Sequence, residues 1–483
     1  MTPKAAAIDY VSLREGMFAL AKERLPDWTD RSPSDMGVLL VELMAWMGDQ
    51  ILYHQERIAN ESYLPTAVED RSILNLLRLV GVSPRPPLAA SGWLVLHFKS
   101  EKGEVSTEIP TGTTFQAEVG GEVVTYRYLG PLIPVRGASV PEVRIPVRQV
   151  DAVVSGEAIG SSSGQAGLRI ALKRTPILEE SLELLVDGEL WTRVPSLLLF
   201  SGREDPHYTL ERDGLGSWSI GFGDGVHGRI PPRGHANLVA SYLVGGGARG
   251  NVRARAITKK GVTLAQLDTV TNPSAMTGGA DAESLSDAAR RAPLQFRAMG
   301  RAVTATDLES AALAFGALKA TARAGSWNRV DVYALPPGAP PGQEVAADDL
   351  FLEALQAHLQ ELVPITVAVD VRPPRWVPIR LQLRVEFTGR RDPSVARRSV
   401  QEALEALYDI DRVSFGAKLN LSKVYEAVEA LSGVGSVYVS TFGRGDGRVP
   451  RAALGRIELE STELPWLDTS GRSWLNVGEA RDD

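Results

Sequence analysis

The feature that most constrains this chain is a change of apolar period at Pro84-Arg85-Pro86-Pro87. Before that cluster the apolar residues recur at steps of three and four, the rhythm of helices. After it they recur every second residue, the rhythm of strands. A run of prolines cannot continue a helix, so the switch also marks a domain boundary. Residues 1–82 therefore read as a helical region. Asp30-Arg31-Ser32-Pro33-Ser34-Asp35 predicts a helix start, with Ser32 as cap, Pro33 at the first helical position and Asp35 completing a capping box. Behind it Leu39, Leu40, Leu43, Trp46, Met47 and Ile51 form one broad apolar face. A third helix carries Ile73, Leu76, Leu77 and Val80 and stops at Gly81.

Residues 88–258 read as a mostly β body. Trp93 to Phe98 predicts a strand, and Leu184 to Trp191 predicts a hairpin around Asp187-Gly188, a pair suited to positive φ. The Gly- and Ser-rich stretch from Gly156 to Gly167 predicts an exposed loop. Helical periodicity returns after Thr277-Gly278-Gly279, over Ala280 to Met299. Thr304-Ala305-Thr306-Asp307 is a second capping-box start, before Leu308 to Phe315. Strands at Val330–Tyr333, 366–371, 379–387 and 434–439 alternate with helices at 350–362, 395–408 and 421–431. The fold class expected is α+β multidomain: an N-terminal helical segment, a central mostly-β domain and two C-terminal α/β sandwich-like domains, over 278–375 and 376–483.

Of 483 residues, 44% are hydrophobic and 23% charged, which is enough apolar material for several cores. The formal net charge of -7 argues against a dedicated nucleic-acid binder, which needs a basic footprint. The absence of cysteine excludes disulfides, thiolate metal sites and a Cys nucleophile. Met1-Thr2-Pro3-Lys4 lacks the apolar core of a secretion signal, and Glu42 and Asp49 make residues 36–51 look too polar to span a membrane.

Three strings imitate chemical motifs. Gly160-Ser161-Ser162-Ser163-Gly164 matches a nucleophile elbow, but alternating Leu168, Ile170 and Leu172 put a strand after it where the elbow needs a helix. Gly223-Asp224-Gly225-Val226-His227-Gly228 and Gly245-Gly246-Gly247-Ala248-Arg249-Gly250 match a dinucleotide fingerprint. The first runs into Ile230-Pro231-Pro232 and the second into an alternating Asn251 to Arg255, so neither opens the helix that would hold a pyrophosphate. Asp224 and His227 read as a polar Asx-type turn. The six histidines include no pair three or four apart, and Asp348-Asp349 and Glu179-Glu180 read as solvated surface. The expectation is no catalytic, metal or cofactor site, and no enzyme.

The segment Gly216 to Gly234, with Trp218, Phe222, Gly223, Asp224, Gly225, Gly228, Pro231, Pro232 and Gly234, closely resembles the signature of baseplate J-like proteins. The resemblance continues through Ala240 to Val244, then Gly245, Gly246, Gly247, Gly250 and Asn251. A second block, Gly278-Gly279-Ala280-Asp281 followed by Ala289-Arg290-Arg291-Ala292-Pro293 and Arg301 to Asp307, looks like the family's next one. A third, Trp28 to Gly37 and Glu42 to Gln50, resembles the opening of baseplate assembly proteins. Together they cover most of residues 25–325.

The resemblance implies a structural wedge subunit in the baseplate of a contractile phage tail or phage tail-like injection system, joined into a ring that links the tube and spike hub to the sheath and helps trigger contraction. Residues 8–80 would enter a helical bundle with neighbouring wedge subunits through Leu39, Leu43, Trp46, Met47 and Ile51. The implied partners are other wedge subunits, including a second J-like protein, the inner baseplate or tube-initiator and spike hub proteins, a sheath-attachment protein, and self or paralogue in the ring. Nucleic acid and direct membrane insertion are not expected. Assembly would take place in the bacterial cytoplasm, with the chain then carried in a virion-like, extracellular or membrane-attached particle. A host adhesin on the same particle and a hydrolase using the Ser162 or Asp224 region are the competing readings.

Overall fold

The computed structural model describes residues 9–99, 105–137, 142–212, 216–261, 264–298, 300–388, 392–446, 455–469 and 474–479. The N-terminal sequence Met1-Thr2-Pro3-Lys4 lies outside them. The architecture is mixed α and β over several cores, with helices first and strands gathered into sheets beyond.

Three helices open the described chain: α1 (Tyr10–Arg24), α2 (Met36–Glu61) and α3 (Asp70–Leu79). A capping box starts α1, in which Asp9 and Ser12 each accept the other's backbone N–H. The start of α2 differs from the expectation. Its cap is Asp35, whose Oδ1 accepts from Gly37 N at 2.8 Å, Val38 N at 3.0 Å and Trp28 Nε1 at 3.1 Å. Ser32 instead accepts Asp35 N in a turn before the helix. A carboxylate receives several N–H groups and answers the positive helix terminus, which a single hydroxyl does less well. Two glycines of α2 let α1 and the following loop lie close: a Cβ on Gly37 would come 2.5 Å from Trp28, and one on Gly48 3.1 Å from Leu13.

Two compact units divide the chain. The first holds the helices up to Ser83 together with Ser284–Pro293, and its core sets Ile73, Leu77 and Val82 against Ala288 and Ala292. The second holds Pro84–Glu283 and everything from Leu294 onward.

Within the second unit, a six-stranded sheet runs Ile257–Lys260, Thr114–Val119, Glu122–Arg127, Glu142–Gln149, Ser91–Phe98, Leu267–Thr271 in hydrogen-bonded order. Its alternate residues bury Leu94, Leu96, Phe98, Phe115, Tyr126 and Ile145. A seven-stranded sheet runs Ala152–Ser162, Gly234–Val244, Glu183–Val186, Glu189–Arg193, His207–Arg212, Trp218–Phe222, Arg169–Ala171. The hairpin at Asp187-Gly188 is present, with φ of 50° and 83° and Val186 opposite Glu189. The exposed loop expected from Gly156 to Gly167 is confined to 163–167. Ala152–Ser162 is a strand paired along Gly234–Val244, and Gly156, at φ 63°, takes up a register shift. Gly and Ser are poor strand formers, but a long neighbouring strand supplies the pairing they lack.

Further along, helices Ala305–Phe315 and Leu350–Leu362 pack on one face of a sheet ordered Lys319–Ala324, Arg329–Leu335, Ala368–Arg372. The Thr304–Asp307 capping box forms as the sequence predicts. A last sheet is built on the 13-residue strand Arg375–Phe387, flanked by Val434–Arg444, Glu463–Leu467 and Leu475–Glu479. Helices Pro393–Leu407 and Leu421–Glu429 cover its apolar face. Arg444 closes this sheet by reaching the buried Glu463 with Nη1 and Nη2, each at 2.8 Å.

Candidate interaction surface and glycine junction

The motif glycines build a junction within the second unit. Trp218 and Phe222 are buried in the strand that leads into the first turn. There Gly225 has φ 84° and Gly228 φ 89°, and Gly225 N donates to Gly228 O at 3.0 Å. Asp224 Oδ1 accepts from Val226 N and His227 N, an Asx turn, and these bonds hold its carboxyl below the usual carboxylate range. Gly223 has an ordinary φ, but a Cβ there would lie 2.1 Å from the Gly228 carbonyl oxygen. Beyond the turn, Pro231 O accepts from Ser162 Oγ and Pro232 O from Asn237 Nδ2. A Cβ on Gly234 would strike Asn237 at 2.6 Å.

The second glycine run ties together segments far apart in sequence. A Cβ on Gly245 would lie 2.8 Å from Gln149 O, and Gly246 passes beside Pro87. Gly247 N donates to Leu88 O. Asn251 exchanges two hydrogen bonds with Gly279, Nδ2 to O at 2.7 Å and Oδ1 from N at 2.9 Å. The strand expected at 251–255 is absent: Ala248–Gly250 is a 3-10 turn, and the segment after it makes single backbone bonds, Met276 N to Val252 O and Arg255 N to Asn272 O, in place of a ladder.

None of the chemical look-alikes gathers reactive groups. Ser162 is buried; its hydroxyl donates to Pro231 O at 2.8 Å and accepts from Gly164 N. His227 Nδ1 lies 3.6 Å from Asp224 Oδ2 on an exposed turn. Asp349 is not the solvated carboxylate expected. It is buried, caps Leu350–Leu362 and accepts from Thr277 Oγ1 at 2.6 Å, and burial pushes its pKa up. Glu179 and Glu180 pair with Arg193 and Arg148. Among the described residues no group of three His, Asp or Glu is placed to hold a metal ion.

On α2, Leu39, Leu40, Leu43, Trp46, Met47 and Ile51 are each 46–56% exposed, whereas Val38 and Ala45 are buried. The helix is thus apolar on two sides. One side lies against α1, where Arg14 Nη1 approaches Glu42 Oε1 at 3.9 Å, and the other faces solvent. An apolar side of a helix is normally buried. By length and composition α2 is also apolar enough to cross a membrane, contrary to the sequence expectation. Glu42 and Asp49, seven residues apart, fall on the same side, so the two charges interrupt the apolar surface less than their number suggests.

Residues 9–79 match the family model for the N-terminal domain of a bacteriophage baseplate protein, a span that takes in all three helices. A chain in the cryo-EM structure of the anti-feeding prophage (AFP) baseplate, 6-fold symmetrised, is similar at 13% identity and a TM-score of 0.36, over 94% of this chain and 90% of that one. So loose a likeness assigns neither fold nor role. No curated protein matches the chain.

Proposed function

Since this chain is a baseplate-related protein, we propose that it is a structural wedge subunit of a contractile injection system and has no enzymatic role. The observation that carries the reading is the solvent-facing apolar side of α2, which lies inside the stretch matching a baseplate protein's N-terminal domain. Such a side gains stability only when another apolar surface covers it. Helices of neighbouring baseplate subunits are the cover this reading supplies, with the wedges joined in a ring around the tube and spike and below the sheath. The partners are then other wedge subunits, a second J-like protein among them, with the inner baseplate and spike hub proteins on one side and a sheath-attachment protein on the other. Assembly belongs in the cytoplasm, before the particle is released or anchored. The glycine turns serve as rigid backbone joints and need no substrate.

The test is deletion of the gene from its source cluster, with the particles imaged by electron microscopy. Loss of sheathed particles is expected. Full-length sheathed particles lacking only peripheral density would replace the wedge with an adhesin. Intact particles that had lost only an enzymatic activity would replace it with an enzyme.

A further inference from the structure

Trp327 and Ile365 are 95% and 103% exposed. They come from different loops, yet the sheet brings those loops to one place. Arg329 stands opposite Ala368 in the parallel pair, and Ala368 N donates to Asn328 O at 2.9 Å. Two bare apolar side chains therefore project from the same end of one strand pair. Tryptophan is one of the residue types enriched among the anchors of protein interfaces. The polar face of the same sheet sets Arg323 opposite Asp331 and Asp331 opposite Asp370, with Arg329 and Arg372 alongside. Arg329 pairs with Asp370 and Arg372 with Asp331, which leaves Arg323 as a small positive excess.

A complementary surface lies on the β body. Leu129, Val153 and Leu178 line a groove beside the edge strand Ala152–Ser162. Its charged lining is Arg148, Glu180 and Glu183, one cation and two carboxylates, a small negative excess. Leu129 and Val153 are exposed, so the knob of the same chain does not fill this groove. A head-to-tail contact between copies covers both at once, and repetition of such a contact closes a ring when the rotation between copies divides a full turn.

We propose that Trp327 and Ile365 of one copy seat in the Leu129–Val153 groove of a second copy. The proposal rests on the structural reading above and names the contact that would join successive subunits.

The absence of cysteine makes the contact directly testable. The experiment places Val153→Cys and Ile365→Cys together in the full chain, expressed within its source cluster, and oxidises the purified particles. A ladder of covalent multimers is expected on a denaturing gel without reductant, while each single-cysteine chain stays monomeric. Adding Trp327→Ala should cut the ladder roughly tenfold, as loss of an interface anchor does. Ser155→Cys with Ile365→Cys is a second pair on the same groove, in case Val153→Cys impairs folding. Particles that contain the chain but give no ladder with either pair overturn the contact and leave the baseplate role standing. Particles that assemble without the chain overturn both.

Discussion

Gly223 and Gly225 occupy one turn but are needed for different reasons. Gly225 is required by its backbone, since φ 84° is a conformation that L side chains resist. Gly223 is required by space, because the Gly228 carbonyl oxygen stands 2.1 Å from where its Cβ would be. A left-handed φ is relieved at modest cost, whereas a carbonyl held in the turn cannot retreat without breaking it. We therefore predict that Gly225→Ala costs about 1 kcal/mol and Gly223→Ala about 3 kcal/mol. Urea unfolding followed by near-UV circular dichroism reads both, and a larger loss at Gly225 would refute the ordering. Glu463 offers a second test. Burial alone would raise its pKa, but hydrogen bonds from Arg444 and Glu460 N, with the charges of Arg444 and Arg375, outweigh burial and hold it below the ordinary value of 4.5. A carboxyl with a depressed folded-state pKa stabilises fully above its unfolded value. That stability is lost as pH falls through the folded-state value. Glu463→Gln should cost about 3 kcal/mol at neutral pH, the usual penalty for breaking a buried pair. It should also flatten the loss of stability on acidification below 4.5. An acid limb unchanged in the variant would show that another group governs it.

At the scale of elements, α2 separates what stabilises the chain from what it offers to others. Ala45 is fully buried, and Leu43 and Trp46 are half exposed. The double substitution Leu43→Glu with Trp46→Glu should keep the helical circular dichroism and lower stability by no more than about 1 kcal/mol. In the source cluster it should nevertheless prevent incorporation into wedges. Ala45→Glu should do the opposite kind of damage, loosening the α1–α2 pair itself, since it buries an unpaired charge. Intact wedges from the double variant would remove α2 from the interface. The apolar stripe of α2 was legible in the sequence because periodicity is local. The Asp187-Gly188 hairpin and the Thr304 capping box were legible for the same reason: each depends on a few adjacent residues. Gly156 within a strand was not, nor was Lys319–Ala324, whose alanines and charges have little strand preference and are held by Arg329–Leu335. The cap at Asp35 was missed because Ser32, Ser34 and Asp35 all fit the pattern locally. Only the placement of Trp28 and the N–H groups of Gly37 and Val38 distinguishes them.

At the scale of the whole molecule, sequence neighbours and folding neighbours part company at Ser284–Pro293. By period this segment reads as the opening of the α/β region, yet its Ala288 and Ala292 complete the core of Ile73, Leu77 and Val82. Periodicity identifies an amphipathic helix but not the surface that receives it. The first unit therefore depends on a strap of chain that returns after some two hundred residues of β structure. A fragment of residues 9–83 should form helices but leave Ile73 and Leu77 uncovered, losing about 1.5–3 kcal/mol for each side chain fully exposed. A peptide of residues 284–298 added in trans should restore part of that loss, read as a rise in the thermal midpoint and as slower amide exchange in α3. The same peptide carrying Ala288→Glu and Ala292→Glu should restore none, because it would bring charge into an apolar contact. A fragment equally stable with and without the peptide would mean that the helices close their own core. The returning segment would then be a passenger on the first unit, without a part in holding it together.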